Sequence, residues 1–337
     1  MVAFLKLLHT AGMEKQPGHD WRRRREQAYR MKKFAYYLLG LMTRLVFLLS
    51  CIVPEQVFVY CSRKGAALYM ASSRRYKRRI AKNLQIAFGP SYTPEKVKAF
   101  IGEMGDHVGI SVAEMFFSAT PRLQDLLNRI RIHGKEHLEK ALALGKGVIA
   151  VSAHIGNFTL ISVKMVEEGY PFIMLIKESK FEAVAKALRM FQDRQGGRFI
   201  YMSQWKEALR KILVCLRSNE IICLLADEKK RRTGIDVDFF GQSAATALGP
   251  AVLSQRTGSP VVPVFIVRQQ DGTHDIFIEP PLDHHVTGAR KEDERTLTAA
   301  YTKVIEEYVR TYPEQWSWIN NRWRRYDGGA AAGSKRE

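Results

Sequence analysis

Between Gly147 and Arg268 the chain alternates short, unbroken apolar runs with segments of helical spacing, and that alternation leaves few folds open. GVIAVSA leads into HIGNFTLISVKMVEEG, PFIMLI into FEAVAKALRMFQDRQGG, and RFIYM into WKEALRKILVCLRSN. EIICLLAD follows, then GPAVLSQRTG with Pro250 suited to a first helical turn, then PVVPVFIVR. Apolar runs of this length without polar alternation read as strands buried on both faces. Strands that each feed a helix stack in parallel, because the crossover returns the chain to the same sheet edge in the same direction. The sequence therefore predicts an α/β fold, a central mostly parallel sheet flanked by helices. THDIFIEPP continues the sheet, EKVKAFIGEMGDHVGISVAEMFF and PRLQDLLNRI read as helices before it, and DERTLTAAYTKVIEEYVRTYPEQW closes the domain. At 337 residues the chain suffices for one large core.

The N-terminal part obeys different rules. The segment 34–53, FAYYLLGLMTRLVFLLSCIV, is apolar apart from Thr43, Arg44 and Ser50, and Pro54 stops it. As a helix it measures about 30 Å, the thickness of a bilayer core. Charge surrounds it. The chain carries +19, and residues 1–90 hold 18 Lys/Arg against four acids. Both flanks of the apolar run are thus positive, which one straight crossing does not satisfy, and Arg44 sits mid-run at a cost of a few kcal/mol. The reading favoured is a helix lying in or dipping into the cytosolic leaflet, with SRRYKRR against lipid phosphates; a single-pass anchor is the alternative. The divisions follow: a basic lead 1–33, membrane-associated helices 34–70, a catalytic domain 71–325 and a disordered tail 326–337. Nucleic acid is not expected as a partner, because aromatic interleaving is missing. The four cysteines form no C-x-x-C pair and read as buried hydrophobes.

Phosphate-binding glycine loops and serine-hydrolase elbows are missing from the sequence. His133 and His137 lie four apart, but Gly134 argues against one helix through both; with His284–His285 they read as solvated, and no metal or cofactor is expected. His154 differs. It ends a buried strand, Gly156 permits close backbone approach, Asn157 can donate and accept, and open N–H groups at the helix start could stabilise an oxyanion. On local grounds a general base and a helix-capping histidine are equally good readings.

VSAHIGNFTL resembles the H-x-x-x-x-D/E block of the bacterial lipid A biosynthesis (lauroyl/myristoyl) acyltransferases, within the lysophospholipid acyltransferase superfamily. Four other stretches resemble that family in the same order: SRRYKRRIAKNLQIAFG, HVGISVAEMF, DVDFFGQSAATALGPAVLSQRTGSPVVPVFIVR and YPEQWSWINNRWRR. The likeness covers about residues 55–325. It implies a glycerolipid-acyltransferase-like fold at the cytoplasmic face of a bacterial inner membrane. It also implies acyl transfer from acyl carrier protein, or from a CoA thioester, to a hydroxyl of a phosphorylated glycolipid, with His154 as base and Gly156 and Asn157 beside it. Carried over position by position, Arg194 would clamp a phosphate, Asp227 would orient a basic group, and Thr246 and Gly249 would lie on the phosphate side.

One position departs. Thr159 stands where the family has Asp or Glu, the residue that orients the imidazole and stabilises its charged form. Three readings follow: another carboxylate such as Glu114, Asp193 or Asp227 has taken over; Thr159 suffices and the enzyme is slow; or the site is impaired and the protein binds lipid or acts as a scaffold. Asn320, where the family often has histidine, is a second difference. Trp316, Trp318 and Trp323 fit either a membrane interface or C-terminal packing, and Phe239 and Phe240 a core or an acyl tunnel.

Overall fold

The computed structural model describes residues 19–178, 182–202, 204–229, 234–283 and 287–323. The basic lead up to residue 18, His284–His285 and the tail 326–337 lie outside the described residues.

Seven strands form the central sheet: β1 (Ile130–His133), β2 (Val148–Ser152), β3 (Phe172–Ile176), β4 (Arg198–Tyr201), β5 (Ile221–Leu225), β8 (Val261–Arg268) and β9 (His274–Ile278). Their order is β1-β9-β8-β2-β5-β3-β4. The five from β8 to β4 run parallel, as the alternation predicts. At β8 a short turn replaces the crossover, so β9 pairs antiparallel with β8, and β1 follows β9 in that reversed direction. Strands β6 (Gly234–Phe239) and β7 (Gln242–Ala247) make a separate antiparallel hairpin.

The pleat divides the core. On β2, Ile149 and Val151 enter one cluster while Val148 and Ala150 enter the other. The first cluster is closed by α3 (Arg74–Phe88), α9 (Trp205–Arg217), α10 (Gly249–Thr257) and α11 (Arg290–Thr311). The second is closed by α5 (Leu123–Asn128), α6 (Lys135–Leu142) and α7 (Thr159–Glu167). Trp316, Trp318 and Trp323 lie in the first cluster, at most 5% exposed, so packing and not an interface holds all three. Phe239 and Phe240 lie in the same core.

A third cluster joins α1 (His19–Ile52), α2 (Glu55–Ser72), α4 (Pro94–Phe117) and α8 (Glu182–Gln195) through Phe47, Phe58, Phe116, Phe117 and Phe191. Helices α2 and α4 touch backbone to backbone: a Cβ on Gly109 would lie 2.5 Å from the Arg63 Cα. The bidentate Arg63–Asp106 pair spans the same contact. The stretch Tyr29–Ile52 is the one helix among the described residues long and apolar enough to cross a membrane.

Candidate active site

β2 and β5 are neighbours in register, with Ser152 opposite Leu225, and the Ala226 N–H donates to the Ser152 carbonyl. Two residues beyond each strand end stand His154 and Asp227. The parallel ladder therefore sets side by side two residues 73 apart in the chain. His154 Nδ1 lies 2.8 Å from Asp227 Oδ1, and the His154 backbone N–H donates to Oδ2 at 3.1 Å. The Trp316 indole N–H donates to the same Oδ2 at 2.9 Å.

Asp227 is 2% exposed. Burial alone would push its carboxyl pKa up, but the His154 ring and the donated hydrogen bonds outweigh it and hold the pKa at about 2. An ionised Asp227 accepts from Nδ1–H, which fixes the tautomer and leaves Nε2, on the far side of the ring, as the proton acceptor. Of the three carboxylates named as substitutes, Asp227 is the one bonded to the imidazole. Glu114 belongs to a neighbouring network, and Asp193 is exposed on α8.

The loop around His154 is stitched to the chain's end. Ile155 bridges Trp316, the Gly156 N–H donates to the Gln315 carbonyl, and the Ser317 N–H donates to the His154 carbonyl. Gln315 also clasps Arg268 at the end of β8, accepting from its N–H and donating to its carbonyl. Gly156 has φ +54°, and a Cβ there would meet the Ile266 carbonyl oxygen at 2.2 Å, so no other residue fits. Its N–H is spent on Gln315, so Gly156 serves the loop's shape.

Asn157 and Thr159 face a second set of charges. Thr159 Oγ1 donates to Asn157 Oδ1 at 2.6 Å, and Asn157 Nδ2 donates to Glu114 Oε2 at 3.0 Å. Glu114 also accepts from Arg268 Nη2 at 2.5 Å and from His274 Nε2 at 2.9 Å. Burial pushes the Glu114 pKa up, but these donors hold it at about 2. Thr159 thus secures the amide that ties the His154 loop to α4. Thr159→Val removes one hydrogen bond and leaves a buried acceptor; turnover should fall less than about tenfold, with a stability loss of about 1–3 kcal/mol. Thr159→Glu, which the family pattern alone would favour, sets a carboxylate against Asn157 Oδ1 and should not raise turnover. A gain in kcat for this variant would show that Asp227 leaves the acid function unfilled.

The other sequence candidates lie further out. The Arg194 guanidinium stacks 5.0 Å over the Phe47 ring of α1. Thr246 is fully buried; its hydroxyl donates to the Ala244 carbonyl and accepts from Arg322 Nη2 at 2.7 Å. Gly249 opens α10 against Leu224. Arg322, itself 1% exposed and stacked on Phe239, has its pKa lowered by burial to about 10, with Asp227 acting in the opposite direction. His133 ends β1 and pairs with Asp275, while His137 lies on α6, so no helix carries both. Among the described residues no cluster of three His, Cys, Asp or Glu side chains could hold a metal.

Residues 24–325 match the family model for bacterial lipid A biosynthesis acyltransferases. The chain belongs to that family. It is 26% identical over 204 residues to a phosphatidylinositol mannoside acyltransferase of Mycobacterium tuberculosis, covering 60% of this chain and 62% of the relative. It is 23% identical over 278 residues to the lipid A biosynthesis palmitoleoyltransferase of Escherichia coli, covering 81% and 86%. A lipid A biosynthesis lauroyltransferase of the same organism is 21% identical over 295 residues. The match thus spans less than two thirds of the mannoside enzyme and most of the lipid A enzymes. Against the family pattern, Thr159 stands at the acid position after the histidine, and the Asp227 carboxylate beyond the neighbouring strand β5 bonds the ring nitrogen.

Proposed function

We propose that this protein transfers a fatty acyl chain from a thioester to a hydroxyl of a membrane glycolipid. The observation that carries the reading is the 2.8 Å contact between His154 Nδ1 and the buried, ionised Asp227. His154 Nε2 takes the acceptor's hydroxyl proton as the oxygen attacks the thioester carbonyl. Asp227 stabilises the imidazolium that results. The tetrahedral intermediate then expels the thiolate, the C–S bond breaks, and the imidazolium returns the proton to sulfur. An ester and a free thiol leave the site, and His154 is neutral again. Neither substrate requires a metal.

The donor is an acyl carrier protein thioester, with CoA as the second choice. A carrier protein of acidic surface complements a chain of net charge +19. The acceptor is a phosphorylated glycolipid, in line with the lipid A and phosphatidylinositol mannoside names of the relatives. The protein works at the cytoplasmic face of an inner membrane, held there by its N-terminal helices. The alternative, an impaired scaffold, rested on Thr159, and Asp227 in the acid's place weakens it.

The test is acyl transfer by purified protein from radiolabelled acyl carrier protein or acyl-CoA to a lipid A precursor or a deacylated phosphatidylinositol mannoside. Wild type should turn over with one of the acceptors, and His154→Ala should abolish transfer. Equal rates for the two proteins would reject the mechanism, and no transfer with any pair would favour the scaffold.

A further inference from the structure

Helix α1 presents two opposite faces. Phe34, Leu38, Leu41, Leu45, Leu48 and Ile52 are 40–76% exposed. At about 100° per residue these six fall on one stripe. Tyr36, Thr43, Phe47 and Ser50, on the other side, are at most 8% exposed. That buried line is about 21 Å long, most of the helix's apolar length. What covers it is not apolar throughout. Phe47 packs on Phe191 of α8, and Arg194 stacks on the same ring. α8 also exposes Lys186, Arg189 and Asp193.

An α1 standing upright through a bilayer would draw α8 and its charges into hydrocarbon. Arg44 makes the same point. It is exposed, lies at the middle of the apolar run, and points about 100° away from Leu45, at the edge of the stripe. In a crossing helix that side chain sits near the bilayer centre. In a helix lying flat it reaches the headgroups along its own length.

We infer that α1 does not cross the membrane but lies in one anionic leaflet, its exposed stripe sunk among the acyl chains and its other face kept on the domain. The occupant is a phospholipid surface and not a second protein copy, because the region is matched to anions. Arg30 and Arg44 are exposed on α1 itself, and residues 1–90 hold 18 Lys/Arg against four acids, so a second copy packed on this helix would set like charges together. The choice of lipid as partner rests on the glycolipid reading; the flat geometry rests on the two faces of α1. The buried face of α1 connects to the site: Phe47 packs on Phe191, Phe191 on Phe116, and Phe116 shares α4 with Glu114, which holds Asn157.

The experiment uses the full chain with Cys51→Ser and Cys61→Ser, since these two cysteines are exposed. Cys223 is buried, and Cys215, which is partly exposed, is replaced by serine as well. A maleimide fluorophore is placed singly by Leu38→Cys, Leu45→Cys or Ile52→Cys. Its depth is read with nitroxide lipids in vesicles of phosphatidylethanolamine and phosphatidylglycerol. A flat helix puts all three at one depth, about 5–10 Å below the headgroups. A crossing helix puts position 45 about 10 Å deeper than its neighbours, and that result overturns the inference. Absence of quenching at all three sites, with a dimer in sedimentation, gives the stripe to a second copy and overturns it too. Equal shallow depths in a protein that transfers no acyl group would leave the geometry standing and reject the catalytic reading alone.

Discussion

Asp227→Asn is expected to lower kcat on the order of 10³–10⁴-fold with KM changed only a few-fold. Asparagine keeps the shape of the side chain and can still accept from the Trp316 indole and the His154 N–H. What it loses is the negative oxygen at Nδ1. An amide N–H aimed at Nδ1 would force the proton onto Nε2, the nitrogen that must receive one from the acceptor hydroxyl. The imidazolium formed in the attack would also lose its counter-charge. Steady-state acyl transfer, with circular dichroism to verify the fold, measures the effect. A variant within tenfold of wild type would remove Asp227 from the mechanism. Thr159→Val should behave oppositely, with little change in turnover and a measurable loss of stability. The contrast tests whether Asp227, and not the residue at the family's acid position, supports the imidazole.

Glu114→Ala should destabilise the protein by about 3–5 kcal/mol. The carboxylate is the shared acceptor for Arg268, His274 and Asn157, each buried to at least nine-tenths. Removing it strands a guanidinium in the interior and releases the amide that pins the His154 loop to α4. Urea unfolding at neutral pH measures the loss, and a change below about 1 kcal/mol would mean that water replaces the carboxylate without penalty. Acid provides a second reading of the same group. Both Glu114 and Asp227 have folded pKa values of about 2, below their ordinary values of 4.5 and 3.8. Their contribution is therefore fully present above about pH 5 and is lost as pH falls through the folded values near 2. The unfolding free energy of wild type should drop across that window, and Glu114→Ala should show a shallower drop.

The parallel sheet was legible because each of its central strands is an unbroken apolar run, a local property. β1 and the β6–β7 hairpin were not. IRIH is too short and too charged to read as a strand, and it is one because β9 supplies its ladder. The hairpin alternates small residues whose burial comes from Trp323, Arg322 and α11. The reversal at β8–β9 depends on a short turn, which periodicity does not encode.

The sequence by itself determined the α/β architecture and the apolar basic N-terminal region, since each is written in contiguous residues. It offered His154 as a base or a helix cap, and the resemblance of five separated blocks to one family favoured the base. It also exposed Thr159 as a departure. Only the tertiary structure decided which carboxylate meets the imidazole. Register between β2 and β5 brings Asp227 to the imidazole across 73 positions, and the Trp316 segment locks it there. Thr159 turns instead towards Asn157, which Glu114 holds. Chain distance carries no information about such meetings; strand order and register do.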